Sequence, residues 1–242
     1  IDKKEELKFT DLSSYIASTE PETSTSTNRV AVIYMEGEIV DGQGKDGQIG
    51  GDEFAKIIRK ARTDEKVKAI VLRVNSPGGS ALASDIMWRE VVMARKDKPV
   101  VVSFGDVAAS GGYFISCNSD RIFAEPTTIT GSIGIFGLIP NAKKLLNEKL
   151  GITTDNVEVT RHGAFNMVTN PFDDEERAII QKTIEKGYRE FKGRVAEGRG
   201  KDTAYIETIA QGHVYTGNQA IQNGLVDEIG GLDKAIQFAV KK

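Results

Sequence analysis

Apolar residues fall along this chain in two alternating patterns. Near-continuous apolar runs at Val30–Met35, Val67–Val74 and Val100–Phe104 read as strands covered on both faces. Between them, apolar residues recur at helical spacing. Phe54, Ile57, Ile58 and Ala61 follow Asp52, a suitable N-cap, and Met87, Val91 and Ala94 mark a second helix. Further on, Arg121–Ala124 and Ile133–Phe136 read as short strands and Ala142–Leu150 as a helix. The longest predicted helix is Asp173–Glu197, where Ile180, Ile184, Tyr188, Phe191 and Val195 step by 4, 4, 3 and 4 into one core-facing stripe. Its length also suits packing against another subunit. Asp173 with Glu176 resembles a capping box at its start. Strands alternating with helices imply right-handed crossovers and an α/β fold with a mostly parallel sheet.

Two glycine-rich stretches interrupt this alternation where a strand hands over to a helix. Val107-Ala108-Ala109-Ser110-Gly111-Gly112-Tyr113 sets a serine at such a turn among small residues, and its glycines let a substrate approach the backbone. Asn75-Ser76-Pro77-Gly78-Gly79-Ser80 follows the preceding strand, and its paired glycines are suited to aim N–H groups at a developing oxyanion. Each turn alone is equally an ordinary helix start. Together, in neighbouring units, they point to acyl transfer.

Composition narrows the setting. With 242 residues and 39% apolar content, the chain has material for a sizeable core. A net charge of −3 gives no basic field for nucleic acid. The single cysteine, Cys117, excludes an intrachain disulfide and a cysteine metal cluster, and reads as a small core residue. No run reaches the length of a membrane span, and the chain opens on Ile1 without a leader, as a fragment or processed product would. Residues 1–28 read as a linker, charged over Ile1–Leu7 and polar over Ser18–Asn28, ahead of a domain over 29–242. No metal-ligand cluster or phosphate-cradling loop is evident, so no cofactor is expected.

A serine hydroxyl needs a base. The histidines are His162 and His213. The second sits in a turn-like stretch and reads as structural, and no acidic partner is apparent for the first. A lysine is the other candidate. It is neutral at pH 7 only when a water-poor pocket lowers its pKa from about 10.4 by several units. Lys143, Lys144 and Lys192 lie downstream and read as surface charges.

The stretches NSPGG, AASGGYF and Ala124–Gly134 (AEPTTITGSIG), with Gln211–Gly217 and Gly224–Asp227, resemble the bacterial signal peptide peptidase A (protease IV) family from about Val30 onward. The resemblance implies a crotonase- or caseinolytic-protease-like repeated β-β-α superhelix and a serine–lysine dyad. Ser110 matches the nucleophile, and Ser132 the serine that hydrogen-bonds the lysine amine. The amides of Gly79 and Gly111 match the oxyanion hole, with Gly78 shaping the turn. The lysine itself is absent, and aligned on Pro171-Phe172 its position falls on or near Asn166. Long members of the family carry two copies of the fold, the lysine in the first and the serine in the second. The resemblance therefore implies a serine-bearing half whose base comes from the missing N-terminal half or an adjacent subunit. It also implies a homo-oligomer, an N-terminal membrane anchor absent here, remnant signal peptides as substrate, and a site on the periplasmic side of the inner membrane. Leu138 and Ile139 belong either to the substrate entrance or to the core. Two other readings stay open: a crotonase-like acyl-CoA enzyme, which would not need Ser110 as nucleophile, and a non-catalytic assembly or peptide-binding domain.

Overall fold

The computed structural model describes residues 10–18, 26–163, 165 and 167–242. Helix α1 (Leu12–Ser18) lies within the stretch read as a linker. The body then runs β1 (Arg29–Glu36), β2 (Glu38–Val40), β3 (Gln48–Gly50), α2 (Gly51–Thr63), β4 (Val67–Ser76), α3 (Ala81–Asp97), β5 (Val100–Ala109), α4 (Gly111–Ser116), β6 (Arg121–Ala124) and β7 (Ile129–Gly131). After an exposed, irregular stretch containing one wide helical turn at Leu145–Lys149 come α5 (Asp174–Arg199), α6 (Thr203–Ile209), β8 (Val214–Thr216), α7 (Gly217–Gln222), β9 (Glu228–Ile229) and α8 (Leu232–Lys241).

The main sheet has the order β1-β4-β5-β6-β9, with β7 continuing beside the far end of β5 and β8 pairing β7. All its pairs are parallel except β7 with β8. The apolar runs make this possible, because a parallel strand is covered on both faces. On one face Ile70, Leu72, Val74, Val102 and Phe104 pack with Met87, Val91, Tyr113 and Phe191. On the other, Ala69, Val71, Val101 and Phe123 are covered by Ala235 and Ala239 of α8.

Four details depart from the sequence reading. Strand β5 continues past Phe104 to Ala109, so it delivers Ser110 directly. Helix α2 begins at Gly51 with Gly50 as N-cap, and Asp52 lies inside the first turn. Ile133–Phe136 is not a strand: Ile133 is buried, Phe136 is 90% exposed, and the sheet takes up Ile129–Gly131 instead. Ala142–Leu150 is not a regular helix, since Leu145 and Leu150 find no surface to bury against and stay exposed. The capping box of α5 does form, with Glu176 N donating to Asp173 Oδ1 at 2.7 Å and Asp173 N to Glu176 Oε2 at 3.0 Å.

Candidate active site

Ser110 stands between the end of β5 and the start of α4 with φ 51° and ψ −118°. L-residues rarely hold positive φ, and such strain survives only where the surroundings impose it. Here Ser110 N donates to Gly131 O at 2.9 Å, and Ser110 O accepts from Phe114 N at 2.8 Å. A serine at this position ordinarily caps the helix with its side chain. Ser110 makes no such bond, so its hydroxyl is left to the cleft that it lines.

The glycine turn after β4 lies against it. Gly78 has φ +104°, and a Cβ at that position would sit 2.7 Å from Gly111 N and 2.8 Å from Ser110 Cβ. Ile39 N donates to Gly78 O at 2.9 Å, and Ser80 N donates to Ile39 O at 2.8 Å. That is a parallel bridge between Ile39 and Gly79. In such a ladder the bridged residue's own N–H points away from its partner strand, which turns the Gly79 amide away from β2. Gly111 is the first residue of α4, and amides of a first helical turn have no partner within the helix. Gly79 and Gly111, from separate segments, line one hollow together with Ser110.

Ser132 holds φ 49° just beyond β7, and its N–H donates to His213 O at 2.8 Å. With Ser110, Gly78 and Gly79 it lines a cleft of about 1030 Å³, walled further by Glu38, Ile135, Phe136, Ile184, Tyr188 and Gln211. A smaller hollow of about 270 Å³ opens beside Ser110 and Gly111 among Ser84, Phe114, Ile135 and Phe191. Its mostly apolar wall suits an uncharged side chain of an extended peptide.

No lysine or histidine is among the described residues lining the cleft. His162 does have acidic neighbours, contrary to the sequence reading: Glu175 lies 3.7 Å from Nε2 and Glu176 3.5 Å from Nδ1. Both glutamates belong to the first turn of α5. His213 is exposed and meets the site through its carbonyl. Lys143 and Lys144 are exposed, and Lys192 is ion-paired with Glu207. Asn166 lies outside the described residues. Cys117 is fully buried, and burial pushes its thiol up to about 12. Leu138 is exposed and lines neither cavity, as is Ile139. Among the described residues no group of three His, Cys, Asp or Glu side chains is placed to hold a metal.

The sequence reading missed the cleft's far wall. It placed the whole α5 stripe against the core, but only its C-terminal part, Phe191 and Val195, is buried. Ile184 and Tyr188 are half-buried and line the cleft, Tyr188 while also packing against the core as expected. Periodicity marks a stripe as sheltered without telling a core from a cavity. The stretch Gln211–Gly212 was singled out, but nothing in its composition assigned it to the wall.

The sheet, its crossovers and the helix start at Ser110 define a caseinolytic-protease-like α/β protein. A ClpP1 mutant from Listeria monocytogenes superposes with a TM-score of 0.56 over 86% of this chain and 94% of its own, at 16% identity, which speaks for the fold alone. Residues 93–242 match the family described as Peptidase family S49, and the chain belongs to that family. Among curated proteins it is 45% identical over 216 residues to "Protease 4" of Haemophilus influenzae and 47% identical over 213 residues to "Protease 4" of Salmonella typhi. Each alignment covers 88% of this chain and 34% of the relative, so the chain spans about a third of their length. It is 36% identical over 230 residues to "Putative signal peptide peptidase SppA" of Enterococcus faecium, covering 91% of this chain and 65% of that protein.

Proposed function

We propose that this chain is the serine-bearing part of a peptidase that works through a serine–lysine dyad, with Ser110 as nucleophile and the lysine supplied by another segment or subunit. One observation carries the reading: Ser110, strained and with its hydroxyl uncommitted to a cap, shares a cleft with Gly78, Gly79 and Ser132, and no described side chain lining that cleft is a lysine or histidine.

In this reaction a neutral amine, held by the Ser132 hydroxyl, takes the proton of Ser110 Oγ as the oxygen attacks a peptide carbonyl. The oxyanion is held by the amides of Gly79 and Gly111, each donor being worth roughly 100- to 1000-fold in rate. The protonated amine then gives its proton to the leaving nitrogen, and water releases the acyl group by the reverse path. The peptide lies extended along the free edge at Gly79. From the family resemblance of the sequence motifs we propose further that the substrate is a remnant signal peptide, the enzyme a membrane-anchored homo-oligomer, and its place the extracytoplasmic side of the cell envelope.

The test is recombination. The chain alone is expected to leave a peptide substrate uncut and to react slowly with a fluorophosphonate. Adding a lysine-bearing copy of the fold should restore both reactions, and Ser110→Ala should abolish them. A cleft lined by no described lysine or histidine also fits a non-catalytic assembly domain. Intact, correctly assembled protein that stays inert after recombination would favour that reading.

A further inference from the structure

The far wall of the cleft carries a hydrogen-bonded chain that the reaction above does not use. Glu207 is ion-paired with Lys192, whose ammonium lies 4.4 Å from the centre of the Tyr188 ring. The Tyr188 hydroxyl donates to Glu207 Oε2 at 3.2 Å and accepts the backbone N–H of Gln211 at 3.0 Å. Gln211 Nε2 donates to Glu207 Oε1 at 3.2 Å. Both roles of the hydroxyl, donor and acceptor, are therefore taken and its orientation is set.

What this hydroxyl holds is a strained turn. Gln211 has φ +59°, a left-handed conformation that a non-glycine residue keeps only under constraint. The two residues after it grip the segment beside the nucleophile: Gly212 N donates to Ile133 O at 3.0 Å, and His213 O accepts Ser132 N at 2.8 Å. Ser132 is itself left-handed, and the preceding Gly131 O accepts Ser110 N at 2.9 Å. A continuous path runs from Glu207 through Tyr188, the 211–213 turn and Ser132 to Ser110.

We infer that Tyr188 is a positioning residue: its hydroxyl, aimed by Glu207, locks the Gln211–His213 turn and so fixes the backbone of Ser132 next to Ser110. This rests on the serine–lysine reading and names a further residue that reading needs. A ring at this place would satisfy packing alone, so Tyr188→Phe isolates the hydroxyl.

The experiment measures peptide hydrolysis by the assembled enzyme. Tyr188→Phe is expected to lower kcat about 10-fold, as small misplacements of a reacting constellation do, with KM within about twofold and the melting temperature unchanged. Glu207→Ala should reproduce the loss. In a Ser132→Ala background, Tyr188→Phe should have no further effect, because both changes remove one coupled function. An unchanged kcat would overturn the inference, as would a change confined to KM, which would make Tyr188 a substrate contact, or full multiplicative losses with Ser132→Ala. Ser110→Ala runs alongside. If it stays active, the dyad reading itself fails; if it is dead while Tyr188→Phe matches wild type, only the role of Tyr188 falls.

Discussion

Ser110 donates its backbone amide to the carbonyl of Gly131 at 2.9 Å, which ties the strained turn of one serine to the strand end that carries the other, Ser132. Both serines hold φ near 50°, 51° and 49°. In the proposed reaction this pair is placed by backbone hydrogen bonds, which leaves the chemistry to its side chains. Ser132→Ala should therefore leave the fold and the melting temperature intact while lowering kcat of the assembled enzyme by about 100-fold, in the range of a lost acid–base contribution. Retention of full kcat would show that Ser132 does not orient the base.

Gly78 has no room for a side chain. A methyl there would stand 2.7 Å from Gly111 N and 2.8 Å from Ser110 Cβ, on a residue with φ +104°. Gly78→Ala is expected to cost about 1–3 kcal/mol of stability from backbone strain. It should cost activity beyond that, because it pushes the Gly111 amide out of line. Denaturant melts and kcat/KM measured on the folded fraction separate the two effects. A variant with wild-type kcat/KM would show that the turn has slack.

Arg199 and Asp227 form a sheltered pair, 2.6 Å apart with side chains 7% and 22% exposed. Arg199 Nε also donates to Gly224 O at 3.0 Å, and Asp227 Oδ2 accepts Ile122 N at 2.7 Å. Asp227→Ala removes the acceptor of a strand amide and leaves a guanidinium unpaired. Breaking one partner of a buried pair costs about 3–5 kcal/mol, and the partial exposure of Asp227 places the expected loss near the lower end. A urea melt shifted by under about 1 kcal/mol would show that water replaces the carboxylate there.

Cys117 tests the core below α4. Burial raises its thiol from 9.0 to about 12. A group whose pKa is raised by folding contributes its full stability below the unfolded pKa, and that contribution is lost as pH climbs from about 9 towards 12. The native protein should therefore resist a disulfide exchange reagent at pH 8 and release one thiol on unfolding, and its melting temperature should decline above pH 9. Fast labelling of the native state at pH 8 would mean that α4 opens.

Much of the fold, and the two turns of the candidate site, were legible in the sequence. Buried parallel strands must be apolar on both faces, so Val67–Val74 and Val100–Phe104 declared themselves, and the sheet followed from their alternation with helices. The glycine turn at Asn75–Ser80 was visible because only glycine fits where backbones meet at Gly78 and Gly79. The far wall was not, because Ile184 and Tyr188 carry the same periodic signature as Phe191 and Val195 below them. The segment after Gly131 misled for a related reason: Ile133, Ile135 and Phe136 look like a strand, yet one is buried, one half-buried and one almost bare.

By itself, then, the sequence determined the kinds of element, their order, and the serine with its neighbouring glycines. These are local matters: period, side-chain volume and backbone freedom are written residue by residue. Only the tertiary structure decided that turns 32 residues apart, at Gly78 and Ser110, share one cleft with Gln211 and Tyr188. It also decided that positive φ at Ser110, Ser132 and Gln211 is tolerated. Those outcomes depend on hydrogen bonds between segments far apart in the chain, which no local pattern encodes.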